Sequence, residues 1–222
     1  MLRSQINAAI ERAKSVLRVH GFHLPPFALW TPEEWRRRGA ECDEIRACKL
    51  GWDVTDFASG DFARVGLTAF TLRNGGAAAP YRRTVYCEKA MIVGEGQRTP
   101  MHCHAVKQED IVCRAGGALI CQVYNRRADG RLDDGEVSVS LDGIARRVPA
   151  GHRFVIRRGE SIRLTPFLYH EFYAEPGSGT AIIGEVSSVN DDASDNLFLD
   201  APARFPTIVE DEPPKHLLCN EY

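Results

Sequence analysis

The run from Gly96 to Gly117, G-Q-R-T-P-M-H-C-H-A-V-K-Q-E-D-I-V-C-R-A-G-G, sets His102 and His104 two residues apart and Glu109 five further on. On a strand, alternate side chains share a face, so both imidazoles point to the same side. Two neutral imidazoles and a carboxylate on one concave face are a common ligand set for a divalent first-row metal. His170 is the fourth candidate ligand. Four such ligands leave two positions of an octahedral ion open, as a catalytic metal needs for substrate oxygens. The set contains no thiolate, which argues against an iron–sulfur cluster or structural zinc. Imidazole with carboxylate accepts Mn2+, Fe2+, Co2+, Ni2+ or Zn2+, and affinity order alone does not choose among them. Cys103 lies between the histidines and, by the same alternation, faces away from them as a small core residue.

The spacing Gly96-x5-His102-x-His104-x4-Glu109-x6-Gly116 is similar to the first motif of the cupin superfamily. The second motif is matched by Gly159, Pro166 and His170, but its second Gly is missing and Ala174 stands where its Asn would be. The wider text T-P-M-H-C-H-x2-K-x-E-D-I, with Gly184-Glu-Val-Ser-Ser-Val-Asn-Asp-Asp192, resembles the D-lyxose isomerase family. The resemblance runs over most of the chain. It implies a jelly-roll cupin barrel holding manganese on His102, His104, Glu109 and His170. It also implies a ketol-isomerase that interconverts D-lyxose and D-xylulose, and D-mannose and D-fructose.

Such an enzyme must move a proton between C1 and C2 of the sugar, so it needs a carboxylate to take and return it. Glu185, on a late strand after the apolar run Ala181-Ile-Ile-Gly, is the first candidate, although Ile183 shares its face. Glu109 is the rival, acting from the metal's edge. Lys107 could hold a sugar oxygen or the developing oxyanion. Asn190, Asp191 and Asp192 could hydrogen-bond sugar hydroxyls. Two other readings use the same residues: a cupin dioxygenase or decarboxylase with iron or manganese, and a non-catalytic sugar-binding cupin. The Lys107 and Glu185 pair argues against the first, and the intact ligand set against the second. With no phosphate-cradling glycine loop beside the motif, a free monosaccharide is expected rather than a phosphorylated one.

The elements that must carry these residues read as mainly β. Ser4 is placed to cap a first helix whose stripe is Ile6, Ile10, Ala13 and Leu17, with Gly21 ending it. Thr31, Pro32 and Glu34 make a capping box for a second helix over 31–38. Residues 50–62 read as turn-rich and 62–72 as a strand; residues 75–80 read as a flexible loop. Short strands then follow at 84–93, 118–124, 136–148, 153–157, 161–164, 169–174 and 181–186. Asp142-Gly143 supplies a type I′ hairpin turn. That density predicts an antiparallel barrel or sandwich with helices packed outside. Asn196 to Leu199 reads as a short extended piece, and the run 210–214 as a solvated acidic loop. One domain is expected: a helical extension over 1–60, a barrel over 61–190 and a carboxy-terminal extension over 191–222.

The 222 residues, 44% hydrophobic, suit a single substantial core. A net charge of −2 gives no electrostatic case for nucleic acid or an anionic membrane. No run approaches the roughly 18 apolar residues that span a bilayer, and the charged first twenty residues exclude a signal-peptide core. Seven cysteines without C-x-x-C spacing read as reduced thiols in the cytoplasm. Barrels of this type often pair, so a homodimer is expected.

Overall fold

The computed structural model describes residues 1–77, 79–200 and 203–222. Ala78, inside the predicted 75–80 loop, and Ala201 and Pro202 of the carboxy-terminal extension lie outside the described residues. Three α-helices come first: α1 (Arg3–Val19), α2 (Pro32–Arg36) and α3 (Asp43–Ala47). Among the described residues, thirteen strands follow. They are β1 (Gly51–Thr55), β2 (Leu67–Arg73), β3 (Tyr86–Val93), β4 (Thr99–His104), β5 (Glu109–Gly116), β6 (Leu119–Asn125), β7 (Val137–Leu141), β8 (Ile144–Val148), β9 (Arg153–Ile156), β10 (Ser161–Leu164), β11 (Leu168–Ala174), β12 (Ala181–Ser188) and β13 (Asn196–Phe198). They form an eight-stranded sheet ordered β1-β2-β3-β12-β5-β10-β7-β8 and a five-stranded sheet ordered β13-β4-β11-β6-β9. Every strand pairing is antiparallel, as the spacing of short strands implied.

Register divides the barrel interior into polar and apolar ends. Lys89 on β3 lies opposite Glu185 on β12, which lies opposite Ile111 on β5. One step toward the mouth, Cys87, Ser187 and Glu109 share a layer; one step deeper, Met91, Ile183 and Cys113 do. Side chains two apart on a strand face the same way, so Lys89, Glu109, Glu185 and Ser187 lie toward the mouth and Met91, Cys113 and Ile183 toward the floor. The floor, including Met91, Ile111, Ile183 and Phe172, is one buried apolar cluster. A second cluster joins the outer face of the large sheet (Trp52, Phe70, Ile92, Ile182) to the α1 stripe Ile6, Ile10, Ala13 and Leu17. Fully burying each of Ile6, Ile10 and Leu17 is worth about 1.5–3 kcal/mol, so this stripe holds α1 on the sheet.

Four local expectations change. The 50–62 stretch is not all turn, because Gly51–Thr55 is β1 and the large sheet therefore starts ahead of residue 61. All five of its residues are buried, so the alternation that marks a half-exposed strand is missing. The strand expected over 62–72 begins at Leu67. Leu2, not Ser4, is the N-cap of α1. Ser4 sits within the first turn, where its N–H and Oγ donate to the two oxygens of Asp211 at 2.9 and 2.6 Å. The acidic run is thus not a free loop. Arg3, only 2% exposed, pairs with Glu210 and Glu221, and Asn7 donates to Glu212 at 2.6 Å. The tail supplies the carboxylates that the start of α1 lacks, favourable at the positive end of the helix dipole.

Candidate metal centre and buried charge row

β4 carries His102 and His104 into the barrel, and β11 brings His170 directly opposite His102. Glu109 opens β5 beside them. The three motif glycines Gly96, Gly116 and Gly159 all take left-handed φ, of 64°, 75° and 91°, where other residues are strained. The missing second-motif glycine is replaced by Phe167, held at φ 61°. Its N–H donates to the carbonyl of His104 at 2.8 Å, so the turn survives without glycine.

The four ligand atoms of His102, His104, Glu109 and His170 lie within 4.8 Å of one another, and all four residues are buried. Nδ1 of His102 is 2.8 Å from the carbonyl of Pro100, and Nδ1 of His170 is 3.0 Å from that of Leu168. A carbonyl can only accept, so each Nδ1 carries the proton and each Nε2 lone pair faces inward, as a metal ligand requires. Nε2 of His170 and both ring nitrogens of His104 are buried without a hydrogen-bond partner among the described residues. Nε2 of His170 lies 3.0 Å from Oε1 of Glu109, yet without hydrogen-bond alignment. Buried polar atoms left unpaired are costly, and a divalent cation among these donors would satisfy them. Burial together with the neighbouring His170 and His104 holds the His102 imidazole well below its ordinary pKa. Burial also lowers His104, so both rings are neutral near pH 7 and able to ligate.

A row of alternating charges leads away from this quartet. Nζ of Lys107 is 2.7 Å from Oε2 of Glu109 and donates to Oε1 of Glu185 at 2.9 Å. Lys89 lies 3.6 Å from the other Glu185 oxygen and 4.0 Å from Asp192. Arg204 then bridges Asp192 and Asp53. Burial works against the ionised carboxylates, but the Lys107 ammonium holds Glu109 well below the usual range, and Lys107 and Lys89 lower Glu185. Burial likewise opposes the Lys107 ammonium, but Glu109 and Glu185 outweigh it and raise its pKa. His102, His104 and Glu109 of the quartet line one cavity with Lys107, Glu185, Lys89, Asp192 and Arg204, walled by Phe57 and Phe198. Phe57 is itself at φ 52°, with its N–H held by Thr55 Oγ1 at 2.9 Å.

The structure therefore gathers His102, His104, Glu109, His170, Lys107 and Glu185, and Asp192 lines the cavity with them. It does not bring Asp191 in. That residue is exposed and closes its own turn, accepting from Ala193 N–H and Ser194 Oγ. Asn190 is spent on the row rather than left free for a ligand: Oδ1 accepts from Lys89 at 2.7 Å and its amide donates to Asp192 at 2.8 Å. Cys103 is buried and is not among the four ligands; all seven cysteines are free. Sequence reasoning missed Lys89, Asp195, Arg204 and Asp53. Lys89 had one readable signal, a lysine inside the strand text C-E-K-A-M-I-V. Asp195 accepts the N–H groups of Val106 and Lys107 at 2.7 and 2.9 Å, and so sets the turn that presents Lys107.

A sequence profile described as D-lyxose isomerase matches residues 1–222. The D-lyxose/D-mannose isomerases of Escherichia coli O157:H7 and Serratia proteamaculans are each 46% identical over 224 aligned residues, covering 100% of this chain and 98% of theirs. Among solved structures, the L-ribose isomerase of Acinetobacter sp. DL28 in complex with L-ribose superposes with a TM-score of 0.64 at 16% identity. That of Cellulomonas parahominis with L-ribose gives 0.62, also at 16%. Each match covers 94% of this chain and 98% of the other. At that identity the likeness speaks for the fold.

Proposed function

The chain belongs to the D-lyxose isomerase family, and from that premise we propose that it interconverts D-lyxose with D-xylulose and D-mannose with D-fructose through a cis-enediol. The two aldoses share their configuration at C2, C3 and C4, so one site can present the same reacting carbons of either. The observation that carries the reading is the buried Lys107–Glu185 pair, which shares one cavity with His102, His104 and Glu109 of the histidine–carboxylate quartet.

His102, His104, Glu109 and His170 would hold a divalent cation, for which we propose manganese. When bound, such an ion supplies Lewis-acid stabilisation of the negative charge that develops on the sugar oxygens. Glu185 takes the proton from C2 of the aldose and returns it to C1. Its Oε1 is engaged by Lys107 and by Ser187 Oγ, each at 2.9 Å, which leaves Oε2 the freer oxygen. Glu109 suits the task less well, because Oε1 faces His170 and Oε2 is taken by Lys107. The two flanking lysines keep Glu185 ionised at the expense of basicity, so the reaction leans on the acidity of the C–H beside the carbonyl. Lys107 also offers an ammonium to the developing oxyanion. Glu185 and Lys107 are 3% and 4% exposed, so an abstracted proton is sheltered from bulk water. Asp192 belongs with the substrate-facing wall.

We place the protein in the cytoplasm as a single-domain homodimer; seven free thiols support the first part. The test is to strip the protein with chelator, reload it with manganese, and supply D-lyxose, D-mannose, D-xylose and D-fructose. Ketose from D-lyxose and D-mannose, restored by metal, is expected. Oxygen uptake without ketose would overturn the reading.

A further inference from the structure

Arg204 lines the same cavity as His102 and His104, together with Phe57 and Phe198. Its Cζ is 5.8 Å from the Phe57 ring centroid, Phe57 is 5.7 Å from Phe198, and Phe198 is 5.6 Å from His102. Two aromatic rings thus separate the guanidinium from the quartet. The group is fixed on several sides. Nε donates to Asp192 Oδ1 at 3.3 Å, Nη2 donates to Asp53, and the Phe205 ring lies 4.8 Å from Cζ. Its remaining nitrogen, Nη1, is buried and has no partner among the described residues. A rigid, charged donor left unpaired is a costly arrangement unless a ligand completes it. The charge around it indicates which ligand. Around Arg204 itself, Asp53 and Asp192 oppose Arg204 and Lys89, two carboxylates to two cations, so no local positive surplus awaits a phosphate. A neutral hydroxyl oxygen suits the free N–H groups better.

We infer that Arg204 Nη1 donates a hydrogen bond to the hydroxyl at the end of the sugar remote from C1 and C2, and so sets specificity at that end. The inference rests on the sugar-isomerase reading and adds the residue that reads the far end of the substrate. Because Arg204 belongs to the carboxy-terminal segment, substrate choice depends on a part of the chain outside the barrel strands.

The experiment compares kcat/KM for D-lyxose and 5-deoxy-D-lyxose on the parent, Arg204→Lys and Arg204→Met. Any ring-form difference between the two sugars is the same for every protein and cancels in the ratio. The parent should prefer D-lyxose by about tenfold to a hundredfold, the scale of one hydrogen bond to a charged group. In both variants that preference should shrink to about threefold or less. Arg204→Met strips the partner from Asp53 and Asp192 and can weaken folding; Arg204→Lys keeps the charge, but its single nitrogen cannot span the positions that the planar guanidinium fork reaches. Metal content and melting temperature equal to the parent's qualify Arg204→Lys for the comparison. If it falls short on either, calorimetric binding of the two sugars to Arg204→Gln carries the same ratio. A preference as strong in the variants as in the parent overturns the inference. A parent that leaves D-lyxose unchanged sinks the isomerase reading instead, and calorimetric binding of the same two sugars then decides the role of Arg204.

Discussion

Replacing Lys107 by Met removes one ammonium from between two buried carboxylates and keeps most of the side chain's volume. Lys107 is 4% exposed, and its nitrogen is 2.7 Å from Glu109 and 2.9 Å from Glu185. Without it, two nearly unexposed carboxylates face a common space with only Lys89 near one of them. Breaking a buried pair by removing one partner costs about 3–5 kcal/mol. For a chain of this size 1 kcal/mol corresponds to about 2–4 °C, so the metal-free variant should melt about 6–20 °C below the parent at pH 7.5. The loss should also depend on pH. Glu109 and Glu185 owe their lowered pKa to Lys107. Without it burial raises them, and protonation then relieves the unpaired charge, so the deficit should narrow as pH falls toward about 5. Adding Glu185→Gln should recover part of the lost stability. Paired urea and thermal melts of metal-free protein measure all three. A Lys107→Met penalty under about 1 kcal/mol, the range of an exposed pair, would refute the reasoning that this row is sealed from water.

His170→Ala and His102→Ala should each lose bound divalent metal, read by elemental analysis after dialysis, because each removes an inward Nε2 donor; full occupancy in both would contradict the ligand assignment. For the metal-free parent, His102, His104, Glu109 and Glu185 all have depressed folded pKa values. The unfolded chain therefore takes up protons first, and stability is lost as pH falls through about 6.5 for the histidines and about 4.3 for the glutamates. The melting temperature should hold above about pH 7 and decline in two stages below it. A flat profile from pH 7 to 4 would show that these groups are not buried as described.

Much of this was legible because local chemistry and tertiary demand agree. The His-x-His spacing, Glu109 and His170 could be assembled because strand alternation and ligand type both constrain them. The Asp142-Gly143 hairpin was legible because both residues take left-handed φ, of 50° and 82°. What stayed hidden depends on partners distant in sequence. β1 is buried throughout and shows no alternation. The acidic tail looks solvated until Arg3 and Ser4 are seen to need it. Arg204 reads as an ordinary loop arginine, and only Asp53, 151 residues away, and Asp192 reveal a fixed guanidinium. Asn190 and Asp191 carry the same residue types that bind sugars, yet one serves two lysines and the other its own turn.

The central claim is that Glu185 carries the proton between C1 and C2. It is tested most directly by exchange of the C2 hydrogen of D-lyxose with solvent deuterium on Glu185→Gln, with manganese content measured on the same sample. The substitution removes the charge and one acceptor oxygen but touches none of the four ligands. The variant should keep its metal, and both exchange and turnover should fall together by about a hundredfold or more, the scale of lost general-base help. Exchange at close to the parent rate in metal-loaded Glu185→Gln would contradict the account and return the role to Glu109.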